Sequence, residues 1–347
     1  MKILFLTKYG NEGPSSRYRF YNYKPYLDAE GMKYCFKPLL DNRYVFYLYN
    51  NQKIKAIIVS VFSVLRRILF LLFNSKKYDL IIIEKELFPN FPYFIESFLL
   101  RSKSYALDFD DYIASSYKEN KYKRWFLGNK IQKLVANAKF VTVGNHWYFE
   151  EFKTNNLHYL PTVINIENYA KERQNAIADV VTIVWIGSPT TAEYLKLMIP
   201  TLQELTKKYN IKLKVIGAHF EIENVNIKLI KWDSKTEFDE LLSADIGIMP
   251  LKRTLWENGK CGFKLIQYMA SGLPVVATTA PANDEIIEND VNGFIIQNDD
   301  EWFEKLEALI INKDLREQFG KLGRNRIKSD YTYQVWGNRY VNIIKNA

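Results

Sequence analysis

Cysteine is almost missing from this chain: its 347 residues hold only Cys35 and Cys261, far apart in sequence. No disulfide framework can be built from that pair, so a reducing compartment is expected. Histidine is as scarce. His146, His158 and His219 are scattered and show neither metal-ligand nor catalytic-triad spacing. The glycine loop after the first apolar run lacks the G-x-G-x-x-G order, which excludes the ordinary dinucleotide-binding turn. No internal repeat or low-complexity tract occurs, and no nucleic-acid-binding motif matches. The opening run, MKILFLTKYG, is too short in its apolar part for a signal peptide. A cytoplasmic protein is therefore expected.

What is present is ordinary globular composition with an uneven charge. Hydrophobic residues make up 48% and charged residues 25%, enough for two α/β domains with proper cores. Residues 1–170 hold 25 Lys/Arg against 15 Asp/Glu, whereas the remainder holds 23 against 24. The excess positive charge thus sits in the first half, which suits an anionic surface or substrate. Lys121-Tyr122-Lys123-Arg124-Trp125-Phe126 mixes basic and aromatic side chains. Such a mixture stacks nucleic-acid bases or sits at a membrane interface. With no nucleic-acid motif, a peripheral contact with an anionic membrane is the expected partner. Ile54–Phe73 is nearly all apolar, broken by Arg66-Arg67 and flanked by Lys53, Lys55, Lys76 and Lys77. Paired arginines past its middle argue against a spanning helix. A buried core helix and a helix lying in the membrane interface both remain open.

Strand-like runs alternate with helical periodicity nearly throughout, the mark of parallel sheets covered on both faces. Predicted strands are Lys2–Thr7, Leu80–Ile83, Tyr105–Asp108 and Phe140–Val143 in the first half. Val181–Ile186, Lys212–Ile216, Ile227–Ile230, Ile246–Pro250, Val275–Thr278 and Gly293–Ile296 follow in the second. Helical patterns include Lys121–Ala136, Pro189–Tyr209 and Tyr331–Asn346. The polar stretch from Pro161 to about Asp179 reads as a linker, which sets domains at 1–170 and 171–330 with a terminal helix at 331–347.

The richest segment is Gly259–Thr279, GKCGFKLIQYMASGLPVVATT. It reads as a turn, an amphipathic helix, a Ser-Gly stop and a buried strand. Lys260 and Lys264 stand at and just inside the helix start, and Gln267 lies one turn on along the same side. Amide groups at a helix start with ammonium groups beside them suit a diphosphate. Gly272 ends the helix without steric cost and Pro274 prevents its continuation. An ordinary βαβ element with solvated lysines would read the same way.

This segment resembles the donor-binding block of retaining, nucleotide-sugar-dependent glycosyltransferases of the two-domain GT-B type, family four in particular. Its tail matches as Ala270-Ser271-Gly272-Leu273-Pro274-Val275-Val276-Ala277. The family's two glutamate positions fall on Gly259 and Gln267, so neither carboxylate is present there. Glu257 is the nearest substitute for the first. The phrase Trp185-Ile186-Gly187-Ser188-Pro189-Thr190-Thr191 and the loop Trp256-Glu257-Asn258-Gly259-Lys260-Cys261 are also similar to a subgroup of that family.

Further residues point the same way without settling the chemistry. Ser188 reads as an N-cap and Pro189 as the first helical residue, and the amides beyond, with Thr190 and Thr191, hold phosphate or merely cap. Glu285 lies where the family approaches the donor sugar, or it serves only the helix dipole. In the first half, Gly10–Arg19 follows strand one at the carboxyl edge of the sheet, where α/β proteins bind ligands. There Gly13, Arg17 and Arg19 are acceptor-side candidates, the arginines suiting a diphosphate; solvated surface arginines are the alternative. Asp108-Phe109-Asp110-Asp111 has no partner at metal spacing. Asp110 is the candidate there to orient an acceptor hydroxyl or take its proton, or it caps the next turn. Glu84-Lys85-Glu86 is similarly placed.

The resemblance implies two facing Rossmann-like doubly wound domains with a central cleft and a C-terminal crossover helix. It implies a glycosyltransferase with retention of configuration and no metal or cofactor, taking a nucleoside diphosphate sugar as co-substrate. Lys260, Lys264, Gly187, Ser188, Thr190 and Thr191 would hold the diphosphate, and Gln267 the ribose. Glu257 or Glu285 would position the sugar. The acceptor would be a polyprenyl-linked glycan in lipopolysaccharide or capsule synthesis, with the protein peripheral on the inner face of the cytoplasmic membrane. Two alternatives stand beside it: a nucleotide-sugar epimerase on the same fold, and a non-catalytic sugar-nucleotide-binding module.

Overall fold

Twelve strands form two separate all-parallel sheets in the computed structural model, which describes residues 1–50, 52–171, 180–233 and 235–347. Part of the expected linker, 172–179, lies outside the described residues. In the first sheet β1 (Lys2–Leu6), β2 (Lys33–Phe36), β3 (Leu80–Glu84), β4 (Tyr105–Phe109), β5 (Val141–Val143) and β6 (Leu157–Tyr159) run in the order β2-β1-β3-β4-β5-β6. In the second, β7 (Val181–Ile186), β8 (Ile211–Ile216), β9 (Ile227–Ile230), β10 (Ile246–Met249), β11 (Val275–Thr278) and β12 (Gly293–Ile296) run β12-β11-β10-β7-β8-β9. Each sheet is doubly wound. The order reverses between β1 and β3 in one sheet and between β7 and β10 in the other. Loops at the carboxyl ends of those strand pairs are where ligands bind in such sheets.

The chain divides into a unit of residues 1–162 with 336–347 and a unit of residues 163–335. Residues 163–170 and 331–335 thus cluster with the second unit. The end of the last helix, Tyr333–Lys345, belongs to the first: Tyr340 packs edge-on against Tyr23 at 4.7 Å, and Gly337 lies against the Tyr26 ring. Central strands such as β3, β4 and β11 are buried at every residue, as parallel strands covered on both faces must be. Two edge strands, β2 and β6, are absent from the sequence expectation. Their side chains are partly exposed and mixed, Lys33-Tyr34-Cys35-Phe36 in one and Leu157-His158-Tyr159 in the other, so the apolar run that marks a covered strand never forms.

Several helices are shorter than their patterns. Lys121–Ala136 is two helices, Lys121–Leu127 and Lys130–Ala136, with Gly128 and Asn129 between them. The expected helix over Pro189–Tyr209 is instead a 3-10 turn at Ala192–Met198 followed by an α-helix at Ile199–Lys208. Pro200 explains that break: it has no N–H to give the preceding turn and fits only the first positions of a new helix.

Candidate donor site

In the second unit, β7 delivers Trp185, Ile186 and Gly187 to the carboxyl edge, and the loop after β10 delivers Thr254 to Gly262. Tyr268 ties them to the following helix, Phe263–Ala270. Its hydroxyl accepts the Ile186 N–H at 2.9 Å. Its ring lies over Gly247 of β10, where a Cβ would sit 2.6 Å from ring carbons. Glycine is thus required in the middle of β10 so that the aromatic can pack there.

Both ends of the helix depend on left-handed glycines. Gly272 (φ +74°) closes its C-terminus, with its own N–H on Met269 O at 2.9 Å and the Leu273 N–H on Tyr268 O at 3.0 Å. Gly262 (φ +64°) opens it, and a Cβ there would meet Ile286 Cδ1 at 2.3 Å. Gly262→Ala should therefore cost about 1–2 kcal/mol from backbone conformation alone, with crowding of Ile286 in addition. Urea unfolding of the variant checks this.

Lys264 is the second residue of the helix. Its Nζ lies 4.3 Å from the centroid of the buried Trp185 ring, a cation–π seat that fixes where the charge points. Burial, with the nearby positive charge of Lys260 adding to it, pushes this ammonium down to about 7. Among the described residues Lys264 has no carboxylate or hydrogen-bond acceptor. Lys260 Nζ stands over Trp256 at 5.5 Å and over Tyr194 at 5.8 Å. Two like charges are held together here, one by an indole and not by an acid. Protein interiors tolerate that arrangement poorly unless an anion arrives.

Gln267, one turn further along, is 4% exposed. Its carbonyl is capped by the Ser271 N–H and hydroxyl, yet its side-chain amide has no hydrogen-bond partner among the described residues. The amide is not among the fully buried polar atoms, so the residue's small exposed area leaves it open to a ligand.

The Ser188–Thr191 segment does not supply a helix start. Ser188 is no N-cap: the 3-10 turn begins at Ala192 with Thr191 before it, and the Ser188 hydroxyl meets only Thr191 Oγ1, at 3.3 Å, while its carbonyl accepts the N–H groups of Thr191 and Ala192 at 3.0 and 3.1 Å. The Ser188 N–H in turn goes to Thr191 Oγ1 at 3.2 Å. These bonds close the turn on itself. Its expected anion-binding amides are therefore largely used, and Thr190 is exposed beside them. Gly187 is required for packing: a Cβ would lie 2.5 Å from the Trp185 ring and 2.8 Å from Thr191 Oγ1. The counter-charge at this edge comes from Lys260 and Lys264.

Glu257 is buried in the short helix Leu255–Asn258, and it accepts hydroxyl hydrogen bonds from Tyr194 and Thr254, one on each oxygen. Sequence reasoning identified the carboxylate but not Tyr194, which both holds it and faces Lys260. Glu285 lies near the end of the Pro281–Ile286 helix. Its first turn has only Asp284 as an acid, which accepts from Thr279 Oγ1 at 2.9 Å, so Glu285 does not serve that helix start. Its carbonyl receives Arg326 and Tyr331.

In the first unit, the carboxyl edge between β1 and β3 holds a dense polar cluster. Arg19 is not presented to a ligand: it is 1% exposed, with Nε and Nη2 on the two Asp108 oxygens at 3.0 and 2.5 Å and Nη1 on Leu160 O. This corrects its assignment as an acceptor-binding residue. Asp108, fully buried near the carboxyl end of β4, claims it. Arg17 is half-buried and lies over the Tyr18 ring. Gly13 packs against Tyr9, where a Cβ would meet Tyr9 Cβ at 2.3 Å.

Asp110 accepts from Ser15 Oγ at 2.6 Å and pairs with Lys85 at 2.7 Å; Lys85 also reaches Asp111 at 2.8 Å. Lys85 and Arg19 together hold the Asp110 carboxyl down at about 2 against the cost of its burial. So weak a base takes no proton near neutral pH; of the two expected roles, orienting a hydroxyl is the one its environment favours. Glu84 joins the cluster by accepting Ser15, Ser16 and the Lys8 N–H. Lys85 adopts a left-handed backbone (φ +64°), strain of a kind that accumulates at functional sites. Among the described residues no group of three or more His, Cys, Asp or Glu is arranged to hold a metal ion.

Residues 180–312 match the family described as "Glycosyl transferases group 1". A capsular polysaccharide biosynthesis glycosyltransferase of Staphylococcus aureus, CapM, is 28% identical over 145 residues, 38% of this chain and 37% of that protein. A sucrose synthase of Melioribacter roseus is 28% identical over 43% of this chain and 18% of its own length. The matched region thus spans well under half of these curated relatives. Among solved structures, a glycosyltransferase of Rickettsia africae superposes with a TM-score of 0.71 at 14% identity, over 100% of this chain and 99% of that one. HepE of Anabaena, crystallised with UDP, gives 0.72 at 14% identity over 100% of both chains. The chain has the GT-B fold, and its second unit carries the domain of the group 1 glycosyltransferases.

Proposed function

We propose that the chain is a retaining glycosyltransferase that takes a nucleoside diphosphate sugar at the Lys260–Gln267 edge of its second unit. Its acceptor is a polyprenyl-linked glycan in surface polysaccharide synthesis. One observation carries the reading: Lys264 is held on Trp185 with no carboxylate partner among the described residues, and Lys260 stands beside it, a pair of cations suited to a diphosphate. The unpartnered Gln267 amide fits a ribose hydroxyl. As the sugar's bond to the diphosphate breaks, the departing oxygen takes the electron pair. The acceptor oxygen bonds to the anomeric carbon on the same face, and its hydroxyl proton passes to the departing diphosphate oxygen. Charge growing on the diphosphate is met by the two ammonium groups, the usual economy of preorganised sites. Glu257, fixed by Tyr194 and Thr254, holds the sugar-side wall, with Glu285 as the second carboxylate of that region. No metal ion or cofactor takes part in this scheme. CapM, named for capsular polysaccharide biosynthesis, supports the class of product.

The test is incubation with a panel of nucleoside diphosphate sugars, with and without lipid-linked acceptors. Release of nucleoside diphosphate that requires an acceptor, with the new linkage keeping the donor's anomeric configuration, is expected. Conversion of donor alone would mean an epimerase. Tight donor binding without turnover across the acceptor panel would mean a binding module.

A further inference from the structure

The Lys53–Asn74 helix is long and apolar enough to cross a bilayer by length and composition, yet one of its faces is already committed. Ala56, Ser63, Arg67 and Leu71 are buried against the first unit. Arg67 donates to Thr7 O and Lys37 O, both at 2.7 Å, and to Leu87 O at 3.4 Å. These are carbonyls from the loops after β1, β2 and β3, so the helix is pinned past its middle to the carboxyl edge of its sheet. It neither spans a membrane nor disappears into a core.

Its opposite face is bare. Ile54, Ile57, Ile58, Val61, Phe62, Leu65, Leu69, Leu72 and Phe73 are all exposed, Phe62 to 67% and Phe73 to 75%. At about 100° per residue these positions cover an arc of roughly 160°. Lys55 and Arg66 flank one side of that arc, Lys53 stands at its start and Lys76 and Lys77 follow its end, all exposed. Neighbouring helices extend the surface. The Tyr93–Leu100 helix touches the Lys53–Asn74 helix and exposes Phe94 and Phe98; it also touches Lys130–Ala136, against which Lys121–Leu127 packs. On that last helix Tyr122, Trp125 and Phe126 stand out beside Lys121 and Arg124, with Trp125 79% exposed.

We infer that these three helices form an interfacial anchor for an anionic lipid bilayer. The apolar arc enters the acyl boundary, with lysines and arginines at the phosphate level and Trp125 and Tyr122 as headgroup-depth aromatics. Charge decides the occupant. A second copy would bring the same basic flanks against each other, whereas an anionic leaflet complements them. Anchoring would hold the Arg67 contact loops, and hence the Ser15–Glu84–Asp110 cluster beside them, at the membrane surface. That last consequence rests on the lipid-linked acceptor proposed above; the anchor itself does not.

Flotation with unilamellar vesicles tests it. The wild-type chain should float with vesicles containing phosphatidylglycerol, at least tenfold more than with pure phosphatidylcholine. Tryptophan emission should shift to the blue, and raised salt should weaken the binding. The double substitutions Phe62→Glu with Leu65→Glu, and Trp125→Ala with Phe126→Ala, should each lower partitioning at least tenfold while leaving the unfolding midpoint and UDP binding unchanged. Absence of flotation with anionic vesicles overturns the inference. So does a stable dimer in solution that Phe62→Glu with Leu65→Glu dissociates.

Discussion

Lys264→Met is expected to make the empty protein more stable and to remove its grip on a nucleoside diphosphate. The two effects have one cause. An ammonium seated on an indole, short of water and beside Lys260, titrates near 7, whereas the same group in the unfolded chain titrates near its ordinary 10.5. Between those values the unfolded chain holds the extra proton, so stability contributed by this group rises with pH across that window. Below about 7 its full penalty is present. Methionine keeps the packing on Trp185 without the charge, so the variant's midpoint should exceed the wild type's most at pH 6 to 7, with the difference closing above pH 10. Binding should respond oppositely. Removing one member of a desolvated charge contact typically costs about 2–5 kcal/mol, a loss readable by calorimetry with UDP or GDP. Binding above pH 7 should also draw a proton onto Lys264 in the wild type and not in the variant. Equal affinity in the two proteins would remove the phosphate assignment.

Arg19→Ala is expected to be the most damaging single change in the first unit. It leaves Asp108 buried with only Thr142 Oγ1 and no cation. Breaking a buried pair from one side typically costs about 3–5 kcal/mol. Arg19→Met combined with Asp108→Leu should recover much of that loss, because apolar replacement of a whole buried pair is often close to neutral. Arg17→Ala, two residues earlier, should stay within about 0.5 kcal/mol. Urea midpoints of the four proteins separate a structural Arg19 from a ligand-binding one: a mild Arg19→Ala would return it to the acceptor candidates.

Arg19 also shows where sequence reasoning stops. Its neighbourhood in the chain suggested a pair of exposed arginines. The partner that buries it, Asp108, lies on β4, and no local pattern records such a pairing. Strand periodicity, by contrast, is local, and it placed all six strands of the second sheet and four of the first. Edge strands β2 and β6 escaped because each is four residues or fewer with at most one aliphatic residue, whereas the edge strand β9 keeps Ile227, Leu229 and Ile230. At the donor edge the lysines and the glycine stop were legible, since helix starts and stops are written in neighbouring residues. The residues that aim them were not. Trp185, Tyr194 and Tyr268 look in sequence like ordinary core aromatics. Only the fold shows that one seats Lys264, one holds Glu257 and one ties the helix to β7 and β10. Ser188 misled because Ser-Pro reads as a cap, whereas Pro200, twelve residues on, decides where the α-helix begins.

The most direct measurement is a crystal structure of the protein with a bound nucleoside diphosphate. The diphosphate oxygens are expected within hydrogen-bonding distance of Lys264 Nζ, with Lys260 beside them and a ribose hydroxyl on the Gln267 amide. A nucleotide bound in full occupancy elsewhere, with Lys264 still resting on Trp185 and facing no anion, would contradict the assignment.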